Sequence, residues 1–184
     1  DNNYVLTISA SDGNQSTPQT LSVTVTDEDE YAGIVLDGPL ANARVFIDGN
    51  NNEIWDVGED STFTDENAEF ELNSIQSGNL VITTTDQTID TLSGVTVSGL
   101  TLKAPKGATV FTPVTTLLVE LIASGVTDAE TTLKSVLGLP DIDLKTFNPM
   151  AAQAGGNEAD SAKYLNSNAQ IVGTLKALSS LAVN

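Results

Sequence analysis

Between residues 48 and 59 the chain reads DGNNNEIWDVGE, and its oxygen-bearing side chains recur at a regular interval. Asp48, Asn50 and Asn52 hold positions 1, 3 and 5 of a twelve-residue segment, with Ile54 at 7, Asp56 at 9 and Glu59 at 12. A hard divalent cation takes about six to eight oxygens at roughly 2.3–2.6 Å, so a short loop must wrap around it and turn alternate side chains inward. In that arrangement the carbonyl of Ile54 supplies a backbone oxygen and Glu59 closes the sphere with two. Ca²⁺ is the cofactor this donor set expects.

The spacing is that of the EF-hand calcium loop, with one departure: Glu53 stands where a glycine normally makes the sharp turn. The same residues also suit an Asn/Asp-rich hairpin turn that holds no ion. Ala43 to Ile47 before the segment and Ser61 to Thr64 after it are rich in β-branched and aromatic residues and are expected to be strands. With no flanking helices to open, an ion here would act as a staple rather than as a sensor's trigger.

The rest of the composition narrows the chemistry. The 184 residues include no Cys and no His, which removes thiolate and imidazole catalysis, the usual zinc sites and disulfide bridges. No G-x-G-x-x-G or P-loop motif occurs. Thr115 and Thr116 have no base in view, and three Tyr and one Trp leave few rings for stacking sugars. The chain is expected not to be an enzyme. Its net charge of −18 disfavours nucleic acid and anionic membranes as partners, since both would repel it. No run approaches eighteen apolar residues and no signal-peptide pattern opens the sequence, so no membrane insertion is expected. The charge is uneven: residues 1–102 carry eighteen Asp or Glu against the single Arg44, whereas residues 103–184 carry seven against six Lys. Such an acidic half is stabilised by bound or screening cations, although acidity also serves solubility alone.

The elements that must position the loop follow in order. Tyr4 to Ser9 and Thr20 to Val25 alternate apolar and polar residues as half-buried strands do. With Ala10-Ser11-Asp12-Gly13 and Val23-Thr24-Val25-Thr26-Asp27, this segment resembles the last two strands of a bacterial cadherin-like repeat. That resemblance implies that residues 1–30 are a terminal strand pair plus acidic linker, with Asp27 and Asp29 as further calcium ligands and Asp12 serving a junction on the N-terminal side. The linker also reads as a solvated charge run. Two explanations fit an orphan strand pair: a piece of a longer chain, or strands donated to a neighbouring molecule.

Residues 31–111 read as a β-sandwich, with strands expected at 31–36, 43–47, 61–64, 68–72, 80–85 and within 95–102. Residues 33–72 resemble the prealbumin-like (Ig-like) repeats of bacterial surface proteins, in which Asp65 could lend an oxygen to the same ion; alone, Asp65 is a plain hairpin residue. Residues 112–184 switch to helical period. Thr112-Pro113 opens a helix with Val114, Leu117, Leu118, Leu121 and Ile122 on one face, ended by Gly125. Thr127 to Glu130 spells a capping box ahead of Leu133, Val136 and Leu137. A turn over 144–150 leads into a short helix, and a long helix spans about 158–182 with Tyr164, Leu165, Asn168, Ile171, Val172, Leu175, Leu178 and Ala182 inward. This tail, through Val110-Phe111-Thr112-Pro113-Val114-Thr115-Thr116-Leu117, Leu137-Gly138-Leu139 and Phe147-Asn148-Pro149, resembles the helical segment that follows such repeats in large bacterial adhesins.

The fold class expected is therefore α+β: a β-sandwich with an EF-hand-like calcium loop between strands, followed by a helical cap or a separate small helical domain. The resemblance implies a calcium-stabilised module of a bacterial cell-surface adhesin or extracellular fibre, at the cell surface, with neighbouring repeats as partners. Two other functions stay open: a filament subunit that uses residues 1–26 for strand donation, and a ligand-binding tip domain with a pocket between its β and helical parts.

Overall fold

The computed structural model describes residues 2–25 and 29–182, with side chains described over 3–25 and 30–174. It is a mixed α+β fold; among the described residues eleven strands form four small sheets and are followed by four helices.

The first sheet is an isolated ribbon. β1 (Asn2–Ser11) pairs antiparallel with β2 (Ser16–Val25), Leu6 opposite Leu21. Both strands extend beyond the expected 4–9 and 20–25, because the pairing holds to the turn. Asp12, expected at a calcium junction, closes that turn: its Oδ1 accepts from Asn14 N at 2.9 Å and Gln15 N at 2.7 Å. These N–H bonds, to Gln15 first and then Asn14, hold the Asp12 carboxyl below the usual range. Period-two alternation places Tyr4, Leu6, Ile8, Leu21, Val23 and Val25 on one face, and none of the six is less than 42 % exposed.

Of the acidic stretch, Asp29 and Glu30 belong to β3 (Asp29–Val35), and Asp27 and Glu28 lie outside the described residues. β3 pairs antiparallel with β7 (Glu69–Ser74) and parallel with β11 (Val110–Phe111). A four-stranded sheet runs β10 (Thr101–Lys103), β8 (Asn79–Thr83), β5 (Arg44–Asp48), β6 (Ser61–Phe63). β4 (Leu40–Ala41) pairs with β9 (Ile89–Asp90). The stretch 95–102 yields strand only at its end, and β4, β9 and β11, two residues each, have no counterpart among the expected strands: two residues are too few to show an alternation.

The two larger sheets share one core. Val35, Phe70 and Phe111 from one meet Val45, Ile82 and Leu102 from the other, with the rings of Phe70 and Phe111 edge to face at 5.5 Å. Alternation explains the choice: β7 reads exposed, buried, exposed, buried along Glu69–Ser74, so only one face contributes.

The helices build a second core of Val114, Leu118, Leu133, Leu144 and Tyr164. α1 (Pro113–Ala123) begins as its sequence requires: Thr112 Oγ1 accepts from Thr115 N at 3.1 Å and Thr115 Oγ1 accepts from Thr112 N at 2.8 Å. α2 (Ala129–Leu137) does not. Asp128, at φ 54°, is its cap and makes no side-chain capping bond. Glu130, the expected partner of Thr127, turns away to accept from Leu144 N at 3.3 Å and to pair with Lys134 at 3.4 Å. Two apolar residues expected inside are outside: Ile122 is 52 % exposed and Val136 75 %. Each of these helices buries a stripe narrower than its apolar pattern, Ala129 and Leu133 on α2 lying one i,i+4 step apart. α3 (Pro149–Ala154) is capped by Asn148 Oδ1 on Met150 N and Ala151 N. α4 (Glu158–Ala182) matches its expected span, with Tyr164, Asn168 and Val172 buried and Leu165 and Ile171 half-buried. The side chains of Leu175, Leu178 and Ala182 lie outside the described residues.

Candidate metal centre

β5 and β6 hold the ends of the twelve-residue loop. β5 runs antiparallel to β8, so Asp48 lies opposite Asn79 in the pairing register. Gly78 packs directly on the start of the loop: a Cβ there would fall 2.5 Å from the Asp48 carbonyl oxygen. Asp48 is consequently sealed, at 1 % exposure. A buried carboxylate needs hydrogen-bond donors, and it has them. Asp48 Oδ1 accepts from Asn52 N at 3.3 Å, and Oδ2 accepts from Glu53 N at 2.8 Å.

Those bonds draw the chain into a tight turn. Asn51 and Glu53 both take left-handed backbone, at φ 60° and 61°. Glu53 is the sixth loop residue, where the pattern calls for glycine, and it makes the turn glycine would make. The far end folds back on the near end: Glu59 Oε1 accepts from Gly49 N at 3.0 Å and Oε2 from Asp56 N at 2.9 Å. Asn50 and Asn52 each donate from Nδ2 to Asp56 Oδ2, at 2.7 and 2.9 Å. The side chains of Asp48, Asn50, Asn52, Asp56 and Glu59 are thus bound into one hydrogen-bonded loop, while the side chain of Ile54 is exposed.

The carboxylates themselves are spread along it. Among the described residues no three acidic side chains gather into a group of the kind that could hold an ion. Their oxygens serve the loop's own N–H and amide donors. The residue types are nonetheless those a hard cation takes, carboxylates on Asp48, Asp56 and Glu59 and amide oxygens on Asn50 and Asn52, the latter accepting here from Asn52 N at 3.0 Å and Ile54 N at 2.7 Å. Asp65 does not join them. It accepts from Glu69 N at 2.9 Å and Asn67 N at 2.8 Å in its own turn, and the Glu69 N–H above all keeps its carboxyl below the usual range. Asp27, and the side chain of Asp29, lie outside the described residues.

Several supports had no local signal in the sequence. Arg44 lies between two rings, its guanidinium carbon 4.2 Å over Trp55 and 4.6 Å over Phe63, and Trp55 Nε1 donates to the Glu59 carbonyl at 3.2 Å. Gln76 braces the end of the loop, accepting from Asp60 N and donating to the Gly58 carbonyl, both at 2.8 Å. Asn79 donates to Asn51 Oδ1 at 2.7 Å. Lys103 donates to Glu53 Oε1 at 2.6 Å and also to Glu120. Burial pulls the Lys103 ammonium down, but the bonds to Glu120 and Glu53 outweigh it and hold its pKa above the ordinary lysine value. All are long-range in sequence except Trp55, whose place inside the loop was visible. Among the described residues no helix is long and apolar enough to cross a membrane.

Compared with protein-family models, with curated proteins and with solved structures, the chain gives no significant match.

Proposed function

We propose that this chain is a Ca²⁺-stabilised structural module of a bacterial cell-surface adhesin or extracellular fibre, a prealbumin-like sandwich whose loop 48–59 holds the ion. The observation that carries the proposal is Glu53. A side chain with a Cβ takes a left-handed turn at the sixth position of a loop whose first residue, Asp48, is buried and whose last, Glu59, reaches back to Gly49. That closure is the one a wrapped cation asks of twelve residues. The resemblance of residues 33–72 and of the helical tail to adhesin repeats supplies the setting. Carboxylates outnumber basic side chains eighteen to one in residues 1–102, and a bound cation offsets part of that repulsion.

In this role the ion supplies charge neutralisation and cross-linking of the loop; the chain's own residues set the turn, seal Asp48 under Gly78 and clamp Trp55 against Arg44. An ion that binds only the folded state, present at a hundredfold excess over its Kd, adds about 2.7 kcal/mol of stability. Thermal melts with Ca²⁺ and with chelator at matched ionic strength test this directly. A higher melting temperature in Ca²⁺, lost in Glu59→Ala, is the expected result; identical melts for wild type in the two buffers reject the metal.

The exposed apolar face of the β1–β2 ribbon favours a second reading, a filament subunit that pairs or stacks this ribbon with a neighbour. Deleting residues 1–26 is then expected to abolish assembly seen by light scattering, and polymerisation of the truncated chain rejects it.

A further inference from the structure

Lys103 is where the loop, the four-stranded sheet and the helices meet. Its side chain is only 14 % exposed, and its ammonium bridges two carboxylates, Glu53 of the loop at 2.6 Å and Glu120 of α1. Its backbone is fastened to the same helix: Lys103 N donates to Thr116 Oγ1 at 2.9 Å, and its carbonyl accepts from Thr115 Oγ1 at 2.9 Å. A cleft of about 220 Å³ lies beneath the bridge, lined by Asp48, Asn51, Glu53, Lys103, Val119 and Glu120.

Glu53 is an unexpected residue for this place. Its φ of 61° strains any residue with a Cβ, and glycine would make the turn without that strain. What Glu53 adds is a carboxylate within reach of Lys103. The sixth loop residue is thereby tied, through one half-buried cation, to a helix that begins sixty residues further along the chain.

We propose that the Glu53–Lys103–Glu120 bridge couples the loop to α1, so that an ion in the loop suppresses opening of the helix and a docked α1 favours the closed loop. The proposal rests on the metal reading of the loop. Coupling of this kind is reciprocal, because each event changes the free energy of the other by the same amount. Its size is set by the bridge: the two carboxylates are about half exposed, at 48 % and 54 %, so solvent screens them and the coupling belongs at the low end, about fivefold. The triad therefore regulates how far the benefit of the ion spreads; it is not part of the donor set.

Two measurements on the full chain separate this proposal from the one beneath it. Terbium luminescence excited through Trp55, followed by displacement with Ca²⁺, reports ion binding. Deuterium exchange of residues 113–123, with and without Ca²⁺, reports α1. The wild type is expected to bind the ion and to slow its α1 exchange about fivefold when it does. Glu53→Gly is expected to bind at least as tightly, since glycine accepts the left-handed turn, yet to show α1 exchange indifferent to Ca²⁺. Lys103→Met should likewise bind and lose the response. If both variants slow as the wild type does, or if the wild type binds the ion with no change in α1, the coupling is overturned. If the wild type binds no ion, the luminescence shows it before any exchange is measured, and the metal reading falls together with the coupling.

Discussion

Thr112 Oγ1 and the hydroxyl of Tyr164 lie 3.0 Å apart with both side chains wholly buried, so the residue that starts α1 is held by the second turn of α4. The cap of one helix is thus a tertiary contact as well. Val114 N, in the same turn, donates to Asn168 Oδ1 one turn further along α4, at 3.2 Å.

That contact gives the fold an alkaline limit. Burial pushes the Tyr164 hydroxyl up to about 12, and the bond to Thr112 only partly opposes it. Below pH 10 both folded and unfolded chains keep the proton and the contribution is complete. Between pH 10 and about 12 only the unfolded chain releases it, so stability falls, by roughly 3 kcal/mol across the window. Urea titrations from pH 9 to 12 are expected to show this loss in the wild type and a shallower one in Tyr164→Phe, which itself costs about 1 kcal/mol at neutral pH. Parallel pH profiles for the two proteins would exclude Tyr164 as the source.

Gly78 is fixed by space rather than by backbone angle. Its substitution by Ala would place a Cβ 2.5 Å from the Asp48 carbonyl oxygen and 2.7 Å from Ile47 Cγ2, neither of which can retreat from the β5–β8 pairing without cost. Gly78→Ala is expected to destabilise by about 1–3 kcal/mol, measured by denaturant unfolding. A loss under about 0.5 kcal/mol would mean that the start of the loop is softer than its geometry implies.

In the proposed metal site Asp48 would both ligate the ion and hold the turn, and chelator separates the two. Without its carboxylate the Glu53 N–H loses its acceptor, which costs about 1–3 kcal/mol with no ion present, while Asn52 N keeps Asn50 Oδ1 at 3.0 Å. Asp48→Ala should therefore melt lower than wild type in chelator, and the gap should widen in Ca²⁺. A gap of equal size in both buffers would assign Asp48 to the turn alone.

The ribbon at residues 2–25 carries no buried side chain over 3–25, so it lends little to the remaining fold. Removing residues 1–26 is expected to leave the melting temperature of the rest within about 2 °C, while abolishing binding of an apolar dye to the Tyr4–Leu6–Ile8 face. A large drop in melting temperature would show that the ribbon supports the rest of the chain after all.

The parts of this fold that were legible in the sequence are those in which neighbours along the chain decide the structure. Thr112-Pro113 marked the start of α1, the 3.6-residue period gave α4 its span, and the spacing from Asp48 to Glu59 outlined the loop. Where distant residues decide, local patterns misled. Thr127 and Glu130 spell a capping box, but Leu144 N and Lys134 claim the glutamate. Val136 belongs to an apolar pattern whose outer edge nothing among the described residues covers. Glu53 looked like a defect in the loop; Lys103, fifty residues away, gives it a partner.

The direction of β11 carries a last consequence. It runs parallel to β3, and Ile34 N and Leu36 N donate across to the Thr109 and Phe111 carbonyls, each at 2.9 Å. The chain passes into β3 from the ribbon and out of β11 into α1. A pull applied along the chain therefore drags these two strands in opposite directions along their length and loads their hydrogen bonds in shear, all at once, instead of peeling them apart one after another.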